Sequence, residues 1–428
     1  MLDVHGLRKE LHVFAMLAAA AMLLAPGSAP PPPHEPDPFA GAPELTPEAL
    51  VSFVLERNPD VGARRAAAEV AASRPQQMGA LDDPMLTWEV APLSVYQRDV
   101  PFGTQVRLSQ KFPFPGKRGL RASEAEAEAK SMRAEVHDVR RELRGMALEA
   151  WADWYLAARE LEINAAHGLL LSELKRAAEA QYGVGRAAQQ DPLQAEVMIA
   201  ELEQERAELE GRQRLVRGRI NALVHRPMAA LVPPPPREVE VAQDVPPDAL
   251  ERAREHRPEL AALDARIEGA RANEELAAKA WLPDFELMAS YSTMWPEPPM
   301  RFMAGVGVEI PLQLGRRSGE RAEAGARRRQ LELTREHRAQ EIENEAHAAR
   351  EELSSALAVL KIQSQRVMAA ARAQLDSARA GYVAGRNEFQ ALIEAERSLR
   401  NAELRRQRAI ADVVRRRAAL ESAMGEDR

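Results

Sequence analysis

Met85-Leu86-Thr87-Trp88-Glu89-Val90 sets Leu86, Trp88 and Val90 on one side of an extended chain and Met85, Thr87 and Glu89 on the other. A period of two is the mark of a strand with one apolar face. The pattern recurs three times. Val106, Leu108 and Phe112 alternate with Gln105, Arg107, Ser109 and Lys111; Phe285, Leu287, Ala289 and Tyr291 alternate with Glu286, Met288 and Ser290; Ala304, Val306, Val308 and Ile310 alternate with Met303, Gly305, Gly307 and Glu309. Strands are therefore expected over about 85–91, 105–112, 284–292 and 303–311. They suit a barrel with lipid outside and water inside, although a small soluble sheet with its aromatics in the core would alternate in the same way. Aromatic residues gather around them, Trp88, Tyr96, Phe102, Phe112 and Phe114 in the first half and Trp281, Phe285, Tyr291, Trp295 and Phe302 in the second. Interfacial girdles would explain that clustering. Four strands are too few to close a barrel, and open edges cannot lie in hydrocarbon, so a membrane sheet here requires several chains to share one barrel.

Outward from each strand pair the grammar repeats. Gly116-Lys117-Arg118-Gly119 and Gly315-Arg316-Arg317-Ser318-Gly319 follow the pairs. The first is not a phosphate loop, because Lys111 stands where that motif needs glycine and Arg118 where it needs Ser or Thr. These turns are expected to return the chain from sheet to helix, with their basic residues facing water or headgroups. Proline-free helical patterns follow over about 120–182 and 321–382, with the seams Val136, Val139, Leu143, Met146, Ala150 and Ile342, Ala346, Ala349, Leu353, Ala356, Leu360. At ~1.5 Å per residue, a helix of roughly 60 residues reaches about 90 Å, beyond any globular helix. Both patterns end in one motif, Tyr182-Gly183-Val184-Gly185-Arg186 and Tyr382-Val383-Ala384-Gly385-Arg386. Gly185 and Gly385 are read as helix stops, since glycine takes φ > 0 without a Cβ clash. Return helices are expected over 191–224 and 389–424. They are shorter than the outgoing ones, and the helices ahead of the strands, about 60–80 and 258–280, are expected to stack end to end with them.

The composition agrees with long helices. Aromatic residues are 4% and charged residues 29% of the 428, with 45% hydrophobic. A formal net charge of −7 gives no basic face for nucleic acid. The chain has no cysteine, which removes disulfides, thiolate chemistry and cysteine zinc sites together. Arg8 and Lys9 precede the apolar run Leu11 to Ala25, so 1–29 reads as an export signal peptide; a frayed N-terminal helix is the alternative. The domain reading is then a Pro-rich segment 30–45, a first repeat 46–228, a Pro-rich linker 229–246 and a second repeat 247–428. Thr46-Pro47 and Pro247 open the two repeats, Thr46 as an N-cap.

A duplicated order of helix, strand hairpin, long helix, Tyr-x-x-Gly tip and return helix resembles the TolC-like outer-membrane efflux proteins. The motifs that carry the resemblance are Tyr182-x-x-Gly185 with Asp191-Pro192-Leu193-Gln194-Ala195, and Tyr382-x-x-Gly385 with Phe389-Gln390-Ala391-Leu392-Ile393-Glu394-Ala395. Phe112-Pro113-Phe114-Pro115-Gly116-Lys117-Arg118 is most similar to the CzcC-type heavy-metal branch. The resemblance implies a mainly α fold with a membrane β-barrel portion, in which four strands per chain build a 12-stranded barrel in a homotrimer above a helical coiled-coil tunnel. It implies an outer-membrane location with a long periplasmic portion, and partners in a periplasmic adaptor protein and an inner-membrane pump of the resistance-nodulation-division type. The function implied is a passive exit duct, with no enzyme activity, cofactor or bound metal.

Carried over by position, Asp191 and Tyr382 match gate contacts and Glu394 a pore-facing acid, while Tyr182, Gly185, Arg186, Gly385 and Arg386 would form the tip met by the adaptor. Ala391 stands where a second acid is common in the family, and Asn387 where an arginine is. On the residues alone, Glu394 also fits a solvated helix carboxylate, and Tyr182 and Tyr382 fit packing at the hairpin ends. His137, His167 and the Glu343/His347 pair lack the density of a metal site and read as solvated helix residues. A periplasmic coiled-coil adaptor is the competing reading, although adaptors bracket one hairpin with other modules. No nucleophile, base and orienter appear together in the sequence, so no enzyme is expected.

Overall fold

A computed structural model describes residues 39, 41–91, 103–295 and 297–427. The chain divides into two units, Met1–Ala42 and Pro43–Arg428. The signal segment, most of 30–45, and the aromatics Tyr96 and Phe102 lie outside the described residues.

In the second unit, α1 (Pro47–Arg57) and α2 (Pro59–Met78) precede the strands β1 (Met85–Ala91) and β2 (Gly103–Phe112). Then come α3 (Lys117–Gly183) and α4 (Gln190–Leu223). The second repeat runs α5 (Ala249–His256), α6 (Pro258–Lys279), β3 (Asp284–Ser292), β4 (Phe302–Glu309), α7 (Leu314–Ile362), a π turn (Gln363–Val367), α8 (Met368–Val383) and α9 (Phe389–Ala423). Local chemistry sets the starts. Thr46 Oγ1 accepts from Ala49 N at 3.2 Å with Pro47 at the first helical position, and Asn58 Oδ1 accepts from Asp60 N at 3.0 Å ahead of α2.

The four strands form one antiparallel sheet in the order β1-β2-β3-β4. The repeats meet inside it, where Leu108 opposes Ala289 and Phe112 opposes Phe285. Directly opposed residues share a face. Trp88, Val106, Tyr291 and Phe302 therefore form one apolar row, and Leu108 lies between Leu86 and Ala289 in the next. This face is uncovered: Leu86 is 68%, Trp88 72%, Phe302 66% and Val306 67% exposed. The opposite face carries Thr87, Arg107, Ser109, Lys111, Glu286, Ser290, Gly305 and Gly307. A soluble sheet with its aromatics inside is ruled out by that exposure. Among the described residues, the outer edges of β1 and β4 have no partner strand.

The α3 helix is the spine. It is 67 residues long, about 100 Å at 1.5 Å per residue, and α1, α2, α4, α6 and α9 all pack on it. The shorter neighbours stack as pairs. Asn58 Nδ2 donates to Leu223 O at 3.1 Å, joining the start of α2 to the end of α4. In the second repeat Arg257, 3% exposed, donates to Ser422 O and Ala423 O at 3.3 and 3.4 Å, satisfying the last carbonyls of α9 beside the first turn of α6. The linker is strapped down at mid-body: Trp154 Nε1 donates to Pro233 O at 2.9 Å, Leu45 N to Pro234 O at 2.8 Å and Trp151 Nε1 to Leu45 O at 2.7 Å. Among the described residues no helix is long and apolar enough to cross a membrane.

The first sheet-to-helix turn corrects one expectation. Lys117 does not face water or headgroups; its side chain is 7% exposed. Its ammonium donates to Asp284 Oδ1 and to Leu282 O, each at 2.8 Å, and Phe114 N donates to the same carboxylate oxygen at 2.7 Å. Arg118 closes on Gly79 O from Nε and Nη2 at 2.8 and 2.6 Å. A buried ammonium needs a carboxylate, and β3 brings one. The Phe112–Arg118 motif is thus a clasp between β2, the end of α2 and the start of β3.

Candidate functional site

At the far end of the helices from the sheet, both tips close by the same device. Gly185 has φ 73° and Gly385 φ 67°. Arg186 N donates to Gln181 O and Arg386 N to Gly381 O, both at 2.8 Å, with the glycine N–H bonded back to Tyr182 O and Tyr382 O. A left-handed residue is what lets these amides reach back over the last turn, so the glycines are structural. The second tip has an addition: the Asn387 side chain folds onto Gly381 so closely that no Cβ fits there. Gln181 holds the equivalent place in the first tip.

The side chains around the tips divide into packed and open groups. Tyr382 packs on Phe389, ring centroids 5.3 Å apart at 60°, while Tyr182 is 46% exposed. Beneath Tyr382 lies a core drawn from both hairpins: Leu171, Leu174, Ala195 and Met198 meet Ala378, Leu392 and Ile393. Asp191 lies close enough to Tyr382 for its charge to be felt there. Burial holds the Tyr382 hydroxyl above its usual range, and the Asp191 carboxylate adds to the effect. Asp191 is itself raised, by burial first and by the Glu388 carboxylate second. The tips therefore bring together Asp191 from the first hairpin with Tyr382 and Glu388 from the second. Glu394 is exposed and accepts from Gln390 Nε2 at 2.9 Å; Gln194 Nε2 in turn donates to Gln390 Oε1. Arg186 and Arg386 are exposed.

One group higher in the body overturns the reading of solvated histidines. His137 and His347 are exposed, but His167 is 4% exposed. Its Nδ1 lies 2.6 Å from Glu396 Oε1 and its Nε2 3.0 Å from Glu403 Oε2. Glu396 is fully buried and Glu403 partly so. Burial favours the neutral ring, yet the hydrogen bonds and charges of the two carboxylates outweigh it and raise the imidazole from 6.5 to about 9. The group locks α3 to α9. Glu396 and Glu403 lie seven residues apart, on one stripe of α9. That spacing was a signal in the sequence, but nothing local said which helix would face it. Among the described residues, no group of three or more His, Asp or Glu is arranged to hold a metal ion.

Comparison with known proteins agrees with this architecture. Residues 249–426 match the family model "Outer membrane efflux protein". No curated protein matches the chain by sequence. Among solved structures the chain is similar to the outer membrane protein VceC of Vibrio cholerae, at 19% identity with a TM-score of 0.74 over 89% of this chain and 96% of that one. It is also similar to CusC, at 18% identity with a TM-score of 0.72 over 94% and 99%. The CmeC outer membrane channel of Campylobacter jejuni gives 13% identity and a TM-score of 0.70 over 94% of each chain. Residues 249–426 thus match the outer membrane efflux protein family model, and the chain as a whole has the fold of these solved outer-membrane proteins.

Proposed function

We propose that this chain is the outer-membrane channel of a tripartite efflux system, exported by the signal peptide 1–29 and assembled as a homotrimer whose four-stranded sheets close a 12-stranded barrel. The carrying observation is the sheet: one continuous apolar face lies open to the outside, a polar and small-residue face lies opposite, and both edges lack partner strands among the described residues. Such a sheet is stable in lipid only when neighbouring copies pair its edges, β1 of one against β4 of the next. The protein performs no covalent step; it offers a water-filled path, closed at the tips and opened when an adaptor and a resistance-nodulation-division pump engage them. Heavy-metal cations as cargo rest on the likeness of Phe112–Arg118 to the CzcC-type branch alone, since the clasp gives Lys117 a structural task. Fractionation tests the reading: a detergent-stable oligomer is expected in the outer membrane and conductance in planar bilayers, whereas a salt-extractable periplasmic monomer would leave the coiled-coil adaptor reading in its place.

The gate combines Asp191 and Tyr382 with the pore acid Glu394, and Tyr182, Gly185, Arg186, Gly385 and Arg386 form the surface offered to the adaptor. Three copies of Glu394 would set a carboxylate ring at the mouth, and a narrow mouth of one sign concentrates counter-ions. Glu394→Gln is expected to lower cation selectivity and weaken block by divalent cations in single-channel recordings. Unchanged values for both would assign Glu394 to the solvated surface.

A further inference from the structure

Because the chain is duplicated, the seam where its two repeats meet has a counterpart at its outer ends. Near the sheet, positions in the two repeats correspond at a spacing of 199: Asn58-Pro59 with Arg257-Pro258, Pro84 with Pro283, Gly116-Lys117-Arg118 with Gly315-Arg316-Arg317, and Leu143 with Ile342. Inside the chain α3, which leaves β2, packs along α6, which leads into β3. By the same correspondence α7, which leaves β4, is the counterpart of α3, and α2, which leads into β1, is the counterpart of α6. Gly269 of α6 meets Ala127 of α3 so closely that a Cβ added to it would lie 3.2 Å from the alanine's. Ala262, Ala265 and Gly269 lie on one stripe of α6 and are buried, as are Ala127 and Ser131 on α3. The corresponding positions at the outer ends are bare: Ala63, Ala66 and Val70 on α2, Ala326 and Gln330 on α7.

The polar contacts of the internal seam carry over with a change of residue. Lys130 Nζ donates to Glu268 Oε2 at 3.1 Å, and Asn273 Nδ2 to Glu124 Oε1 at 3.0 Å. At 199 residues' distance the first pair becomes Arg329 and Glu69, and the second Arg74 and Glu323. Both are opposite charges. All four side chains are exposed, and none forms an ion pair among the described residues. Val70 in place of Gly269 sets the helices farther apart, and arginine in place of Lys130 and Asn273 has the reach to span the gap. The clasp is not repeated, because Arg316 and Met85 stand where Lys117 and Asp284 do. We infer that α7 of one copy packs on α2 of the next as α3 packs on α6, with Arg329 paired to Glu69 and Glu323 to Arg74. The inference rests on the shared sheet proposed above, since pairing β4 with β1 of the next copy is what brings these two helices side by side.

The absence of cysteine makes the contact testable by cross-linking. Val70→Cys with Ala326→Cys is expected to link copies on oxidation, giving covalent dimers and closed rings on denaturing gels, because the internal counterparts sit at disulfide range. Ala63→Cys with Ala326→Cys, displaced by about 10 Å along α2 at ~1.5 Å per residue, is expected to link none. Glu69→Arg and Arg329→Glu are each expected to lower the melting temperature of the detergent-held oligomer, and the two together to restore it, since complementary charges set which surfaces pair. An intact oligomer that linked through position 63, or through neither position, would overturn the contact and leave the channel reading standing, as would a double reversal no more stable than the single ones. A native protein that is monomeric in detergent would overturn both.

Discussion

His167→Ala is expected to destabilise the helical body by about 3–5 kcal/mol, the cost of breaking a buried ion pair so that one charge is left without its partner. The stranded group is Glu396, whose side chain is 0% exposed and whose Oε2 already lacks a hydrogen bond among the described residues. The imidazole's rise from 6.5 to about 9 points to a similar size, on the order of 3 kcal/mol in favour of the charged ring. The pH dependence follows from the raised value. The contribution is fully present below pH 6.5 and is lost as pH climbs through about 9, because the unfolded ring gives up its proton first. Thermal unfolding of the detergent-held oligomer at stepped pH measures it: the native protein weakens across that window and His167→Ala lacks the step. His167→Leu with Glu396→Leu should recover much of the loss, since removing both partners costs far less than removing one. A single variant as stable as the native protein would show that the carboxylates had found other partners.

Lys117→Met is expected to cost about 3 kcal/mol, the lower end for a broken buried pair because Asp284 keeps about a third of its side-chain exposure. Its effect should be local. The ammonium ties together Asp284 and Leu282 O, and the same carboxylate holds Phe114 N; without it, the sheet loses one of its fastenings to the helices while the tips keep theirs. Limited proteolysis should open the chain near 113–118 and 280–284 before the hairpin tips, and the oligomer's melting temperature should fall. Lys117→Arg should fail to rescue, because the planar guanidinium is larger and does not place one compact charge between two acceptors. Cleavage that instead began at the tips would place the clasp's role elsewhere.

These two groups also show where the sequence was opaque. The strands were plain because a two-residue period with one exposed apolar face survives whatever the sheet packs on, and Leu86, Trp88 and Val90 state it without help from distant residues. Gly185 and Gly385 were plain because a left-handed turn is a local demand. His167 and Lys117 were not, since a polar residue is buried only where a partner arrives: Glu396 is 229 residues from His167 and Asp284 is 167 from Lys117. The helix seam offered no warning, because α3 has neighbours on several sides and its buried face changes along its length. At the tips, position alone marked Asp191, Tyr382 and Glu394, while the Gln194–Gln390 link and the approach of Glu388 needed coordinates. The π turn is invisible in Gln363-Ser364-Gln365-Arg366-Val367, which reads as ordinary helix.

The doubled repeat has a further consequence for symmetry. The proposed ring of three chains would carry six nearly equivalent hairpins, so its geometry would begin close to sixfold. His167 in one hairpin corresponds to Val367 in the other, Asp191 to Ala391, and an uninterrupted helix to one with a π turn. Each substitution distinguishes alternate members of the ring. Six equal hairpins would leave such a ring sixfold; two unlike kinds in alternation would lower it to threefold, so that its mouth would be outlined as a triangle rather than as a circle.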